Sequence, residues 1–392
     1  MNKKRIIFSL ILSMLILGLF ASGFFIGKAQ NKPIIPPENV DLSLFWQAYY
    51  TLKDKFVDKS KIKNEDLVYG AISGMVKSLG DPYTVFMPPQ EAKRFLEDTK
   101  GSFEGVGMEI GIKNDQLQIV APLEGTPAKA AGLKAGDKIL KIGDTVTTDM
   151  SLDKAVSLIR GPKGTEVKLT ILRNGWDSSK EFAITRAVIE VPSLTWELIG
   201  ENKDIAYLKL YQFSEKAQTD FTKAAMEILN SPAKRMIFDL RNNPGGYLNV
   251  AEYITSWFVE KDQIITIEDF GGNKPKIEHK STGTSALLKY PIVLLVNKGS
   301  ASASEILAGA LRDNRQVKLI GEKTFGKGSV QELANLQDGS SLKVTIAHWL
   351  TPKGTLISEV GLEPDISVSI PDNAGDKDFQ LDKAIAVVNE LR

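Results

Sequence analysis

An uncharged, largely apolar run from Ile6 to Gly27 follows Lys3, Lys4 and Arg5. It is long enough to cross a bilayer as a helix. The basic flank predicts the N-terminal tail inside and everything after Lys28 outside. The length of the run favours an uncleaved anchor, while Ala21-Ser22-Gly23 offers the small residues of a signal cleavage site. Residues 28–39, with Pro33, Pro36 and Pro37, read as a stiff polar linker. Over residues 40–100 the apolar positions return at helical spacing. Leu44, Phe45, Ala48 and Leu52 share one face, Leu67, Ala71, Met75 and Leu79 another, and Gly80-Asp81-Pro82 interrupts the pattern. These helices are expected to pack on a neighbouring domain or a second subunit, or to act as a spacer.

The period changes over residues 101–186, where short strand candidates are separated by glycine turns: Met108–Ile112, Leu117–Val120, Lys138–Ile142 and Val167–Leu172. Helices are expected at Pro127–Gly132 and Leu152–Arg160, making a module the size of a peptide-binding domain. From residue 187 to 372 strands alternate with helices: Ile205–Leu210, helix 215–230, Met236–Leu240, helix 248–258, Ile292–Val296, helix 302–312. That order predicts an α/β layer. Met236–Leu240 and Ile292–Val296 are near-continuous apolar runs, as central strands covered on both faces require. Residues 373–392 form a helical tail. The fold class is therefore multidomain α/β behind an N-terminal membrane segment.

Composition adds exclusions. With 49 basic and 48 acidic residues the net charge is +1, so there is no general field to gather nucleic acid. The absence of cysteine removes disulfides, thiolate metal sites, a cysteine nucleophile and a lipoprotein anchor. Only His279 and His348 supply imidazole, so a serine nucleophile would need another base. Carboxylate pairs, metal-ligand spacings and aromatic nucleic-acid platforms are not evident, and no metal or cofactor is expected.

Candidate chemistry centres on Asn297–Ser304, where Ser300, Ser302 and Ser304 follow the carboxyl end of a predicted strand. Ser302-Ala303-Ser304-Glu305 fits a capping box, a structural reading of the same serine. A helix N-terminus also favours negative charge and aims amides at an oxyanion. Lys327, between Gly326 and Gly328, is the candidate base if burial lowers its pKa; a lysine in such a loop is otherwise exposed. Gly321–Lys327 spells the first seven positions of a phosphate-binding loop, but Gly328 stands where a hydroxyl should meet magnesium. The turn Asn242-Asn243-Pro244-Gly245-Gly246 can present converging amides, or simply join strand to helix. In the small module, Glu104-Gly105-Val106-Gly107-Met108 leads into a strand edge that peptide can extend. Ala155, Val156 and Ile159 on the facing helix would line an apolar pocket there.

Several separated motifs agree in order: Gly80-Asp81-Pro82-Tyr83-Thr84, Gly105-Val106-Gly107, Asp239 to Gly246, Gly299 to Glu305, and Thr324-Phe325-Gly326-Lys327-Gly328 with Gln331. With them the chain, from about residue 40 to about residue 370, resembles the carboxyl-terminal processing peptidases, or tail-specific proteases. The resemblance implies a PDZ-like module at 101–186 and a protease core at 187–372. It implies Ser302 as nucleophile, Lys327 as general base and Gln331 as the residue orienting the lysine. The oxyanion hole falls on the amides of Gly246 and Ala303. An aspartate assigned in some members maps to Asp313 and ranks below Gln331, because an anion beside Lys327 would hold its proton.

By the same resemblance, the PDZ-like module binds the substrate's free C-terminus through Gly105, Val106, Gly107, Met108 and Val156, with Arg160 coupling peptide binding to the active arrangement. The expected partners are proteins or peptides with a free C-terminus and the membrane through residues 6–27. The resemblance also admits a homodimer through terminal helices. The expected location is extracytoplasmic, in a bacterial cell envelope or secreted. The rival functions are a PDZ-type scaffold whose core no longer cuts and a phosphate-loop nucleotidase.

Overall fold

The computed structural model describes residues 40–113, 116–369 and 377–391. The expected anchor at 6–27 and the linker at 28–39 lie outside the described residues. Among the described residues no helix is long and apolar enough to cross a membrane. The chain divides at Val68/Tyr69 into two compact units.

In the first unit the helical expectation takes the form of helix Ser43–Lys55 and a short 3₁₀ turn at Lys59–Lys61. Asn64 Oδ1 accepts from Tyr49 Oη at 2.8 Å and from Lys53 Nζ at 3.2 Å. Leu44, Phe45, Ala48 and Leu52 do share a helix face, but it is exposed.

Helix Asn64–Lys77 corrects the second stripe. Met75 and Leu79 are 65% and 68% exposed, and the face turned inward is Tyr69, Ile72 and Val76. The aromatic anchor sets this rotation: the Tyr69 ring lies 5.5 Å from Phe86 and its hydroxyl donates to Asp338 at 2.8 Å. The break at Gly80-Asp81-Pro82 leads into a short strand, Val85–Met87, and then helix Pro89–Lys100.

Residues 102–190 make the small module. Strands Ser102–Gly105 and Ala187–Glu190 pair antiparallel at its neck. Beyond them a six-stranded antiparallel sheet carries the short helices Pro127–Ala130 and Leu152–Ile159. Leu117 and Ile119, Leu169 and Ile171 alternate inward with Ile139 and are buried, as a half-covered sheet requires. Ala155 is buried in this core, so it packs the helix down instead of lining the pocket as expected.

The core is built on a second six-stranded sheet, ordered Leu194–Ile199, Ile205–Leu210, Arg235–Asp239, Ile292–Val296, Lys318–Gly321, Ile366–Ser367. The first pair is antiparallel and the others are parallel. Helices Ala217–Leu229, Leu248–Thr255 and Ala303–Arg315 cover one face, packing on Leu208, Phe238 and Leu294. The C-terminal helix Phe379–Glu390 covers the other through Ala384, Val387 and Val388, against Ile237, Val293 and Leu295. Two-sided covering is why these central strands read as continuous apolar runs.

A five-stranded sheet that the α/β pattern did not separate stands beside the core. In it, Ser341–Leu350 pairs with Val85–Met87, Ile264–Asp269 and Ser329–Asn335, and Ile264–Asp269 pairs with Ile277–Lys280.

The layers meet at Phe221, whose ring lies 6.2 Å from Phe238, 5.8 Å from Trp257 and 6.0 Å from Phe258. Phe221→Ala should therefore cost about 3–5 kcal/mol, as loss of a fully buried aromatic ring does. A urea titration showing a lower midpoint at unchanged slope would bear this out; an unmoved midpoint would show that the ring is not a keystone.

Candidate active site

Strand Ile292–Val296 ends at the carboxyl edge of the core sheet, and the chain turns through Asn297–Ala301 into helix Ala303–Arg315. The turn separates the three serines. Ser300 is buried, with its hydroxyl donating to the Leu240 carbonyl at 2.8 Å and accepting from Asn297 N at 3.0 Å. Ser304 is also buried and donates to the Asn243 carbonyl at 3.0 Å. Ser302 is half-buried and lines a cavity of about 680 Å³. Its φ of 55° is unusual for a residue with a side chain.

Glu305 ties this serine to the lysine. Its carboxylate is buried and accepts from Ser302 N at 2.9 Å, Thr324 Oγ1 at 2.5 Å, Gly326 N at 2.7 Å and Lys327 N at 2.9 Å. The bond to Ser302 N is the acid's half of the expected capping box. Burial pushes the Glu305 carboxyl above its ordinary value, and the four donors work against that push. With all its acceptor positions used, the ionised form is the one this nest fits.

The Asn243–Gly246 turn lies against the serine. Asn243 Nδ2 donates to the Leu210 carbonyl at 2.8 Å, its Oδ1 accepts from Gly245 N at 2.9 Å, and its carbonyl accepts from Ala301 N at 3.0 Å. A Cβ on Gly245 would stand 2.8 Å from Ser302 Cβ and 2.9 Å from Ala303 N. One on Gly246, whose φ is 145°, would stand 2.2 Å from the Phe213 carbonyl oxygen. Both positions need glycine. Gly246 and Ala303 line the same cavity as Ser302, together with Lys327 and Gln331.

Lys327 follows the strand Lys318–Gly321 by a loop, and the next element is the strand Ser329–Asn335. No helix begins there, as a phosphate-binding loop would demand. The lysine is half-buried and not the exposed loop residue its neighbours suggest. Burial holds its ammonium below the ordinary lysine value, with Glu305 pulling the other way. Its Nζ lies 5.8 Å from the Tyr83 ring.

Gln331 sits where the pairing of Ser329–Asn335 with Ser341–Leu350 slips between Val330 and Gln331, and a bulge of this kind redirects a side chain. Its Nε2 donates to the Tyr83 carbonyl at 2.8 Å. The turn carrying Tyr83 is held by Asp81, which accepts from Tyr83 N at 3.0 Å and Thr84 Oγ1 at 2.5 Å. Thr84 Oγ1 in turn accepts from Thr345 N at 3.0 Å. Asp313 lies three helical turns beyond Ser302, about 16 Å along the axis, and accepts from Lys353 N.

The cavity also holds groups that spacing did not single out. Lys343 lines it beside Phe95, Leu96 and Thr99 of helix Pro89–Lys100. Glu252, Glu268 and His279 line another part, with His279 Nδ1 2.7 Å from Glu252 and Nε2 3.3 Å from Glu268. The Glu252 hydrogen bond first, then Glu268, raises the His279 pKa against its partial burial. Glu305 had a signal in sequence, its place in the capping box. Tyr83 and Lys343 had none in spacing, because strand pairing brings them in from 250 residues apart or on a strand that periodicity did not mark.

In the small module Val106, Gly107, Met108, Val156 and Arg160 line a groove of about 140 Å³ with Phe103, Ile110 and Ile159. Gly105 stands just outside it, ending the strand Ser102–Gly105. Arg160 stacks on Phe103, 4.2 Å from the ring centroid, and pairs with Asp98 at 2.8 Å. Asp98 belongs to helix Pro89–Lys100, which also faces the larger cavity.

A peptide-groove module ahead of an α/β core with its cavity at the sheet's carboxyl edge is the architecture of a PDZ-containing serine peptidase. Family models agree: "Peptidase family S41" matches residues 204–368, "PDZ domain" 95–172, and "Activating protease CtpB N-terminal domain" 27–91. The chain is 38% identical over 343 residues to the carboxy-terminal processing protease CtpB of Bacillus subtilis, covering 87% of this chain and 70% of that one. It is 37% identical to the carboxyl-terminal-processing protease of Synechocystis, over 87% of this chain and 80% of that one. Among solved structures it is similar to a photosystem II D1 C-terminal processing protease, with a TM-score of 0.51, 28% identity and coverage of 85% and 90%. The chain belongs to peptidase family S41, among the carboxy-terminal processing proteases, and is a serine-type peptidase.

Glu305→Gln keeps the size of the side chain but puts an NH₂ where one carboxylate oxygen accepted two donors, whichever way the amide turns. The expected loss is about 2–5 kcal/mol of stability, with labelling of Ser302 by a serine-reactive phosphonate slowed about tenfold or more. A variant that melts and labels like wild type would show that the carboxylate is not the tie.

Proposed function

We propose that this peptidase is an endopeptidase that takes the C-terminus of a protein substrate into its PDZ groove and cuts with a Ser302–Lys327 dyad. The observation that carries this reading is that Ser302 and Lys327 open on one cavity while one buried carboxylate holds both backbones. Neutral Lys327 takes the Ser302 hydroxyl proton as the oxygen attacks the peptide carbonyl. The Gly246 and Ala303 amides, which have no hydrogen-bond acceptor among the described residues, receive the oxyanion. Lys327 then gives the proton to the leaving amine, and water, deprotonated by the same lysine, releases the acyl group. Gln331 is held at its Nε2 by Tyr83, which leaves its oxygen as the acceptor that orients Lys327.

The apolar, basic-flanked segment at 6–27 supports action outside the cytoplasm from a membrane anchor. The exposed apolar face of helix Ser43–Lys55 supports pairing of two copies. For the groove, Val106, Gly107, Met108, Val156 and Arg160 are the peptide contacts, with Gly105 shaping the entry to that strand.

The dyad and the recognition of the substrate's tail can be tested separately. Ser302→Ala and Lys327→Ala should each lower kcat/KM on an unfolded protein by about a thousandfold or more. Both should still bind a tail peptide, measured by fluorescence anisotropy. Amidating the substrate's C-terminus should weaken binding to both. A Lys327→Ala enzyme that cuts normally would remove the dyad.

The pH profile gives a separate check. Lys327 must be neutral to accept a proton, and burial lowers its pKa. Activity should therefore be low where the ammonium persists and should rise with pH through a limb below that of a free lysine. A flat profile from neutral to alkaline pH, with the fold intact by circular dichroism, would sink this assignment.

A further inference from the structure

The segment Gly80-Asp81-Pro82-Tyr83-Thr84 supplies no reacting group, yet it meets Lys327 and Gln331 together. The Tyr83 ring lies 5.8 Å from Lys327 Nζ, and the Tyr83 carbonyl accepts from Gln331 Nε2 at 2.8 Å.

Two side chains close this turn. Asp81 Oδ1 accepts from Tyr83 N at 3.0 Å, the bond of an Asx turn, and its Oδ2 accepts from Thr84 Oγ1 at 2.5 Å. Pro82 between them has its φ fixed by its ring. Thr84 is buried, and its hydroxyl oxygen accepts from Thr345 N at 3.0 Å. Thr345 is the cross-strand partner of Gln331. The turn is therefore docked on both members of one pair, on the backbone of Thr345 through Thr84 and on the side chain of Gln331 through Tyr83. That pair stands at the slip in the ladder beside Val330, where the strand's own geometry leaves a side chain least constrained by regular pairing. Beyond the turn, Val85–Met87 pairs with Ser341–Lys343 and fixes its far end.

The chemistry of the amide shows what this docking decides. A glutamine side chain has a donor end and an acceptor end of nearly equal shape, so the polarity of its neighbour chooses between the two orientations. A backbone carbonyl only accepts. Tyr83 thus takes the NH₂ and leaves Oε1 free to accept an N–H from Lys327; turned over, the amide would set two oxygens against each other and present a donor to the lysine. A neutral lysine amine has two N–H groups and one lone pair, so holding one N–H restricts where the lone pair points.

We propose that Asp81 and Thr84 are positioning residues for the reaction: the turn they close holds the Tyr83 carbonyl in place, and that carbonyl fixes which end of the Gln331 amide meets Lys327. This rests on the reading of Gln331 as the residue that orients Lys327.

A double-mutant cycle with Gln331→Ala is the test. For wild type, Asp81→Ala, Thr84→Val, Gln331→Ala and the two double variants, kcat and KM are measured on one unfolded protein substrate. Labelling of Ser302 by the phosphonate and tail-peptide affinity by fluorescence anisotropy are taken in parallel, on samples whose fold is checked by circular dichroism. Asp81→Ala and Thr84→Val should each lower kcat about tenfold, within the range of coupling between residues of one hydrogen-bond network. KM and tail-peptide affinity should stay as in wild type. In the Gln331→Ala background the same substitutions should cost about twofold or less, because the contact they serve is already gone. Thr84→Ser keeps the hydroxyl and should restore kcat. Should Asp81→Ala fail to fold, Asp81→Asn, which keeps one acceptor and loses the charge, takes its place in the cycle.

Equal losses of kcat with and without the Gln331 amide would overturn the proposal and leave the turn a packing role. A folded Thr84→Val with wild-type kcat would do the same. The two readings fail differently. A Gln331→Ala enzyme that cuts and labels like wild type removes the orienting role of Gln331 itself. A slow Gln331→Ala beside additive losses removes only the role given to Asp81 and Thr84.

Discussion

The geometry of the site hangs on the Glu305 carboxylate. It bonds both to the turn that presents Ser302 and to the loop that presents Lys327, which a backbone bond from Phe325 N to the Ser300 carbonyl at 3.0 Å also joins. An isolated carboxylate in this buried position would be costly. Here three amides and a hydroxyl replace its water, and each of those donors would be orphaned without it. The same charge works against a neutral lysine, because an anion nearby stabilises an ammonium. Burial of Lys327 opposes it, and the direction that results is downward. On the proposed Ser302–Lys327 dyad, the site holds both residues with a charge whose field the burial of the lysine must offset.

The surrounding fold supplies fixed ends for that tie. Continuous apolar strands bring Leu240 and Val296 to one sheet edge, and Asn243, Ser300 and Ser304 then bind the two following turns to each other through buried bonds. The Asn243–Gly246 turn has a second anchor. Arg241 is held by Asp239 at 2.7 Å, and by Asp378 at 2.8 Å, the residue that caps the C-terminal helix. Both acids raise the guanidinium's pKa against the cost of its burial. The C-terminal helix, which packs on the face of the sheet away from Ser302's helix, is thus tied to the chain segment that leads to Gly246.

Much of this was legible in sequence where the signal is local. Ile205–Leu210, Ile292–Val296 and Lys138–Ile142 fall where alternation and apolar runs put them, because burial on known faces leaves a periodic mark. The rotation of helix Asn64–Lys77 was not legible: Met75 and Leu79 are as apolar as Val76, and only the Tyr69–Phe86 contact decides which side turns inward. The antiparallel sheet built from 264–280 and 329–350 was missed for a related reason, since its strands carry half-exposed polar residues without strong alternation. The gathering of Ser302, Lys327 and Gln331 into one cavity is a property of pairing between distant strands. Family resemblance pointed to it; spacing alone left three serines open.

The competing readings of Ser302 as helix cap and as nucleophile turn out to ask for the same backbone. A non-glycine residue at φ 55° costs of order 1–3 kcal/mol, more than a cap alone would justify when an ordinary extended N-cap is available. The conformation is held by the bond from Ser302 N to Glu305, by Ala301 N on Asn243, and by the close face of Gly245, where a Cβ would leave no room. These restraints turn the serine towards the cavity while its neighbours Ser300 and Ser304 spend their hydroxyls on buried carbonyls. The strain is therefore local to the one serine of the three that opens on the lysine's cavity, and one of the contacts that offset it, the Glu305 carboxylate, also bonds the Lys327 amide.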